Sequence, residues 1–129
     1  MPSPPNAKAR TLANSWNPSD WKLAMKGIAI SVITVLELAH GISRADSTER
    51  RARRKRFLDD LLTGVPIQPV TVPIALRAGQ IDGQSQARGV RIALSDLLIG
   101  VSAMELGYGV GTANVRHFQL IPGLSVIQL

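Results

Sequence analysis

Apolar residues in this chain come in short runs separated by Gly, Pro and polar positions, and the type of run alternates along the sequence. Ile28-Ala-Ile-Ser-Val-Ile33 is short, β-branched and preceded by Gly27, which predicts a buried strand. Thr34, followed by Glu37 at the capping-box spacing, predicts a helix with the apolar stripe Val35, Leu38, Ala39 and Ile42, stopping or bending at Gly41. A second helix is predicted over Glu49 to Leu62, with Phe57, Leu58, Leu61 and Leu62 as its core face and Gly64 and Pro66 as its stop. Ile67 to Val72 reads as a strand that Pro69 confines to an edge or a bend. Pro73 then opens a third helix, burying Ile74, Leu76, Ala78 and Ile81 and reaching about Arg88. From Ser95-Asp96 a fourth helix is apolar nearly all round (Leu97, Leu98, Ile99, Val101, Ala103, Met104, Leu106), so it belongs between sheet and neighbouring helices. Gly107 ends it, Tyr108 to Thr112 predicts a strand, Asn114 to Phe118 a turn or short helix, and Pro122-Gly123 leads into a last strand over Leu124 to Ile127.

Strand and helix thus alternate, the pattern of a three-layer α/β/α fold with a mostly parallel sheet whose functional crevice lies at the carboxyl ends of its strands. The N-terminal part fits this pattern least. Residues 1–6 read as a Pro-stiffened tail, Ala7 to Trp16 as helix-compatible, and Pro18-Ser-Asp20 as a break before the first bulky apolar residues, Trp21, Leu23 and Met25. Residues 1–19 are therefore expected to be a poorly defined segment and 20–129 the domain. At 129 residues the chain suits a single core. The absence of Cys excludes disulfides, thiol nucleophiles and cysteine-ligated metals. A formal charge of +6 suits an anionic partner such as RNA, DNA or an acidic peptide. No apolar run approaches the roughly 18 residues of a membrane span, and no secretory signal is recognisable, which predicts a cytoplasmic protein without a membrane anchor.

Glu37 and Asp96 both fall where a doubly wound fold has its carboxyl edge, so two carboxylates distant in sequence can converge as holders of Mg²⁺ or Mn²⁺. Each also has a purely structural reading: Glu37 as half of a capping box, Asp96 as an acid favoured at a helix N-terminus. Thr112 and Asn114 follow a strand and offer a hydroxyl and an amide to water, phosphate or a metal site, or simply cap a turn. His40 and His117 lack the spacing of a zinc site. Arg50, Arg51, Arg53, Arg54, Lys55 and Arg56 place six cations in seven positions, suited to nucleic-acid phosphates, to an acidic protein partner, or to a solvated helix face. Trp16 and Trp21 read as packing or interface residues.

With these residues in view, the chain resembles the PIN-domain ribonuclease toxins of bacterial toxin–antitoxin pairs, the VapC-like group. The resemblance rests on Ile30-Ser-Val-Ile-Thr-Val-Leu-Glu-Leu-Ala-His-Gly41, Ser95-Asp-Leu-Leu-Ile-Gly-Val-Ser-Ala103, Thr112-Ala-Asn-Val-Arg-His-Phe118 and Ile121-Pro-Gly-Leu124, and spans residue 20 to the end. It implies a three-layer α/β/α domain that hydrolyses RNA phosphodiesters with Mg²⁺ or Mn²⁺ on an acidic cluster. Glu37 and Asp96 match two acidic positions of that cluster, and Asn114 falls where some members carry a further acid and others Asn. The carboxylates would fix the cation, and Thr112 and Asn114 would orient ligands or solvent. An inhibitory antitoxin and a homodimer are implied as partners. One departure stands out: members begin with an apolar strand running into Asp, and Met1-Pro-Ser-Pro-Pro-Asn6 is not such a strand. The usual first strand is thus expected to be missing or replaced, through a misassigned start, a truncated gene or a degenerate copy, and Asp20 lacks the preceding apolar strand needed to stand in. The activity is then expected to be weak or lost, leaving as alternative a degenerate domain that binds the antitoxin or RNA.

Overall fold

The structure is a computed structural model and describes residues 8–10 and 28–129; of residues 8–10 only the backbone is described. The strands are β1 (Lys8–Arg10), β2 (Ile30–Ser31), β3 (Ile67–Gln68), β4 (Gly109–Thr112) and β5 (Val126–Gln128), and the helices are α1 (Val32–Ser43), α2 (Thr48–Gly64), α3 (Val72–Ala87), α4 (Leu94–Glu105) and α5 (Val115–Gln119). All described strand pairs are parallel: β1 beside β4, β4 beside β5, and β2 beside β3 in a second, two-stranded sheet. Helices pair as α1 with α2 and α3 with α4, and the whole is a three-layer α/β/α fold.

The N-terminal segment departs from expectation, because Lys8–Arg10 is strand rather than helix and registers Lys8 opposite Gly109. The sheet therefore does have an N-terminal strand, built from Lys-Ala-Arg in place of an apolar run ending in Asp. The tail and the remainder of Ala7 to Trp16, with Asp20, Trp21, Leu23 and Met25, lie outside the described residues.

The run from Ile28 to Ile33 is divided between strand and helix. Only Ile30–Ser31 is strand, and Ser31 rather than Thr34 caps α1, its hydroxyl accepting from the Ile33 N–H at 3.1 Å. A hydroxyl that satisfies a free N–H in the first turn outweighs the β preference of Val32 and Ile33. Thr34 then lies inside the first turn, the Thr34–Glu37 capping box does not form, and α1 continues past Gly41 to Ser43.

Four further expectations change with solvent contact. Leu76 is 71% exposed and Leu62 is 47% exposed, so each lies off the core face of its helix. Ala39 and Leu106 are exposed as well, and the stripe Val35, Leu38 and Ile42 is only half-buried. The rest of the core follows the pattern. Ile74, Ala78, Ile92, Leu97, Ile99, Val101, Ala103, Val110, Phe118 and Ile121 form the main cluster, and Ile28, Ile30, Leu61 and Val65 a second one beneath α1 and α2. Gly107 and Gly123, with φ of 72° and 79°, take left-handed backbone that other residues resist, which ends α4 and turns the chain toward β5. Gly109 has a different reason: a Cβ there would lie 2.8 Å from the Ser125 carbonyl oxygen, so β4 and β5 approach only with Gly at that position.

Candidate active site

Parallel strands put their carboxyl ends on one edge, and three segments leave that edge toward a common point. β2 runs straight into α1, which carries Glu37; Asp96 sits in the first turn of α4; and β4 ends at Thr112, followed by Asn114 and α5. Of the four residues expected in the site, Glu37 and Asp96 are brought together. Partial burial, and next the negative charge of Asp96, push the Glu37 carboxyl above the usual carboxylate range. Without a capping box, Glu37 has no structural task at its helix terminus, whereas Asp96 does occupy a first turn where the helix dipole favours it.

Thr112 and Asn114 join the site by a different route. Thr112 is buried, and its hydroxyl accepts from the Asn114 N–H at 3.0 Å, which fixes the turn out of β4. The Asn114 carbonyl accepts from the His117 N–H, and the His117 Nδ1 stands 3.3 Å from the Asp96 Oδ2. With the Asp96 side chain only 17% exposed, His117 covers part of what remains open. Sequence reasoning passed over His117 because its partner is not at a metal-ligand spacing. The available signal was local: on a helix opening at Asn114, a residue three further on returns to the same side.

The six cations are not gathered at this point. Arg50 pairs with Asp46 at 3.1 Å and Lys55 with Asp59 at 3.7 Å, while Arg51 donates to the Ala45 carbonyl and Arg54 to the Gly41 carbonyl, one turn beyond Glu37 on α1. Arg53 and Arg56 have no such partner among the described residues.

Glu37 and Asp96 offer the hard oxygen ligands that Mg²⁺ and Mn²⁺ prefer, and a cation would relieve their repulsion. Mg²⁺ is commonly held by one or two carboxylates with water completing its shell, so the pair suits such an ion in kind. In number it is sparse: among the described residues no group of three or more His, Cys, Asp or Glu is placed to hold a metal.

A parallel α/β/α domain with an acidic pair at its carboxyl edge is the architecture of a PIN domain, and the family model for that domain matches residues 11–121. Ribonuclease VapC10 of Mycobacterium tuberculosis is 32% identical over 108 residues, covering 81% of this chain and 75% of the relative. Ribonuclease VapC1 of Rickettsia felis is 28% identical, covering 76% and 73%. The crystal structure of VapBC2 from Rickettsia felis bound to a promoter DNA fragment superimposes with a TM-score of 0.72 at 26% identity, over 90% of this chain and 89% of that one. VapBC-5 from Mycobacterium tuberculosis reaches 0.77 at 23% identity, over 97% and 100%, a likeness of fold. The chain belongs to the PIN-domain family and, within it, is a VapC-like toxin of a toxin–antitoxin system.

Proposed function

We propose that this chain is a catalytically degenerate VapC-like domain that acts by binding its antitoxin. One observation carries the reading: the described site offers two carboxylates and no third acidic or His ligand placed to hold a metal, and Asp96 already contacts His117. A hard cation without soft ligands depends on ligand charge for its affinity, so each absent carboxylate counts heavily. Relatives solved as VapBC assemblies support an antitoxin as partner. A homodimer is part of the same reading, with the exposed Val72 and Leu76, one turn apart on α3, as apolar surface for a second copy. Among the described residues no helix is long and apolar enough to cross a membrane, and the reading puts the protein in the cytoplasm. Residues 20–129 form the domain in this reading, and β1 adds a strand to its sheet from outside those bounds.

The convergence of Glu37 and Asp96 favours a second reading, a Mg²⁺- or Mn²⁺-dependent endoribonuclease of low activity, in line with the ribonuclease names of its relatives. A bound cation would activate water and stabilise charge on the scissile phosphate. Glu37 and Asp96 would hold it, Thr112 and Asn114 would orient ligands, and Arg50, Arg51, Arg53, Arg54, Lys55 and Arg56 would attract the RNA backbone. Cleavage of a structured-RNA panel during Mg²⁺ and Mn²⁺ titration separates the two. The degenerate domain gives no cleavage above a Glu37→Gln control, whereas robust cleavage abolished by that substitution establishes the nuclease.

A further inference from the structure

The outward side of α3 carries a stripe that packing within one copy does not use. The inward side buries Ile74, Ala78 and Ser85; opposite them, at spacings of four, three and four, stand Val72, Leu76, Gly79 and Gly83. Val72 and Leu76, at 72% and 71%, are the most exposed large apolar residues among those described. Gly79 and Gly83 are equally unexplained by the single fold. Neither takes left-handed backbone, and a Cβ at either would meet no atom within 4 Å, so Ala would fit there and favour the helix more. The stripe carries no charge, and Ala75 and Gln80 beside it are neutral as well. A face without cations suits neither a nucleic-acid backbone nor an anionic membrane surface.

The order along the stripe points to its occupant. Its first half is bulky and its second half flat, so two copies of α3 crossing antiparallel set the bulky half of each onto the glycines of the other. That is the self-complementarity a two-fold interface requires, residue i meeting j while j meets i. A parallel pairing would set bulk on bulk and leave glycine facing glycine. Glycines four apart also let the second helix come closer than the roughly 8–10 Å usual between axes.

We propose that a second copy of this chain covers the stripe through an antiparallel α3–α3 contact, with Val72 and Leu76 packed against Gly83 and Gly79 of the other copy. It rests on the reading above only in taking Val72 and Leu76 as contact residues, and it needs no antitoxin, RNA or metal. One helix pair offers less area than the roughly 1,200–2,000 Å² of stable interfaces, so the dimer is reversible, with a dissociation constant on the order of 10 μM. Sedimentation velocity of the full chain between about 1 and about 200 μM tests it, and the parent should pass from monomer to dimer over that range. Leu76→Glu should weaken the dimer by more than about tenfold. Gly79→Leu is the sharper variant. It adds apolar surface yet fills the groove, so it should also weaken the dimer about tenfold, whereas an unspecific apolar patch would associate more strongly. Both positions face outward, so the thermal midpoints of dilute samples should not fall below the parent's. A parent that stays monomeric at about 200 μM, or a dimer strengthened by Gly79→Leu, overturns the proposal. A dimer unmoved by Leu76→Glu also overturns it and places the homodimer on another face. RNA cleavage is measured separately, so failure of this contact and failure of the degenerate-domain reading are distinct outcomes.

Discussion

Two regions of this molecule concentrate charge of one sign, and they handle it in opposite ways. At the carboxyl edge of the sheet Glu37 and Asp96 are held close enough that burial and mutual repulsion disfavour ionisation of Glu37. On α2 six cations between Arg50 and Arg56 are flanked by Asp46 and Glu49 before and Asp59 and Asp60 after, and four of the six already have partners inside the protein. Like charges held together cost free energy, so their persistence points to a use, whereas cations compensated along an exposed helix face are an ordinary way to keep a helix soluble. Clustering in sequence and convergence in space thus pick out different charges, and the structure gives the two groups different surroundings.

The largest expected effect comes from the inner face of α2. If apolar packing rather than the charged face holds that helix, Leu61→Ala, at a fully buried position, should cost about 2–5 kcal/mol in urea denaturation. Gly109→Ala tests the frame that carries Thr112: its Cβ would press on the Ser125 backbone oxygen, for a loss of about 1–3 kcal/mol. Glu37→Gln probes the repulsion itself. A carboxyl whose native pKa is raised binds its proton more tightly in the folded state, so the parent loses stability as pH rises through that range. The variant should match the parent near about pH 3 and have the higher denaturation midpoint at about pH 7, with Mn²⁺ narrowing the gap. The smallest effect belongs to the outer face of α2, where Arg53→Ala should stay within about 0.5 kcal/mol. A larger loss there would show that the charged face is integral to the fold.

Much of the fold was legible because helix signals are local. Pro73 inside the first turn of α3, Gly107 after α4 and the Pro122-Gly123 turn act through fixed backbone preferences, and each lies where the pattern placed it. The Ile28–Ile33 run misled because β-branched residues suit either state, and the cap at Ser31 decided between them. β1 was illegible for another reason: Lys8–Arg10 carries no hydrophobic pattern, and its pairing is supplied by β4, about a hundred residues away in sequence. In the site, the nearness of Glu37 and Asp96 could be predicted from their places, Glu37 one turn past a short strand and Asp96 in the first turn of α4. The contact of His117 with Asp96 could not, since it depends on how α5 folds back over the start of α4.

Mn²⁺ binding measured by electron paramagnetic resonance tests most directly whether Glu37 and Asp96 form a single but weakened cation site. The account predicts one ion per chain with a dissociation constant on the order of millimolar, lost in both Glu37→Gln and Asp96→Asn. Micromolar binding, or binding that survives either substitution, would contradict it.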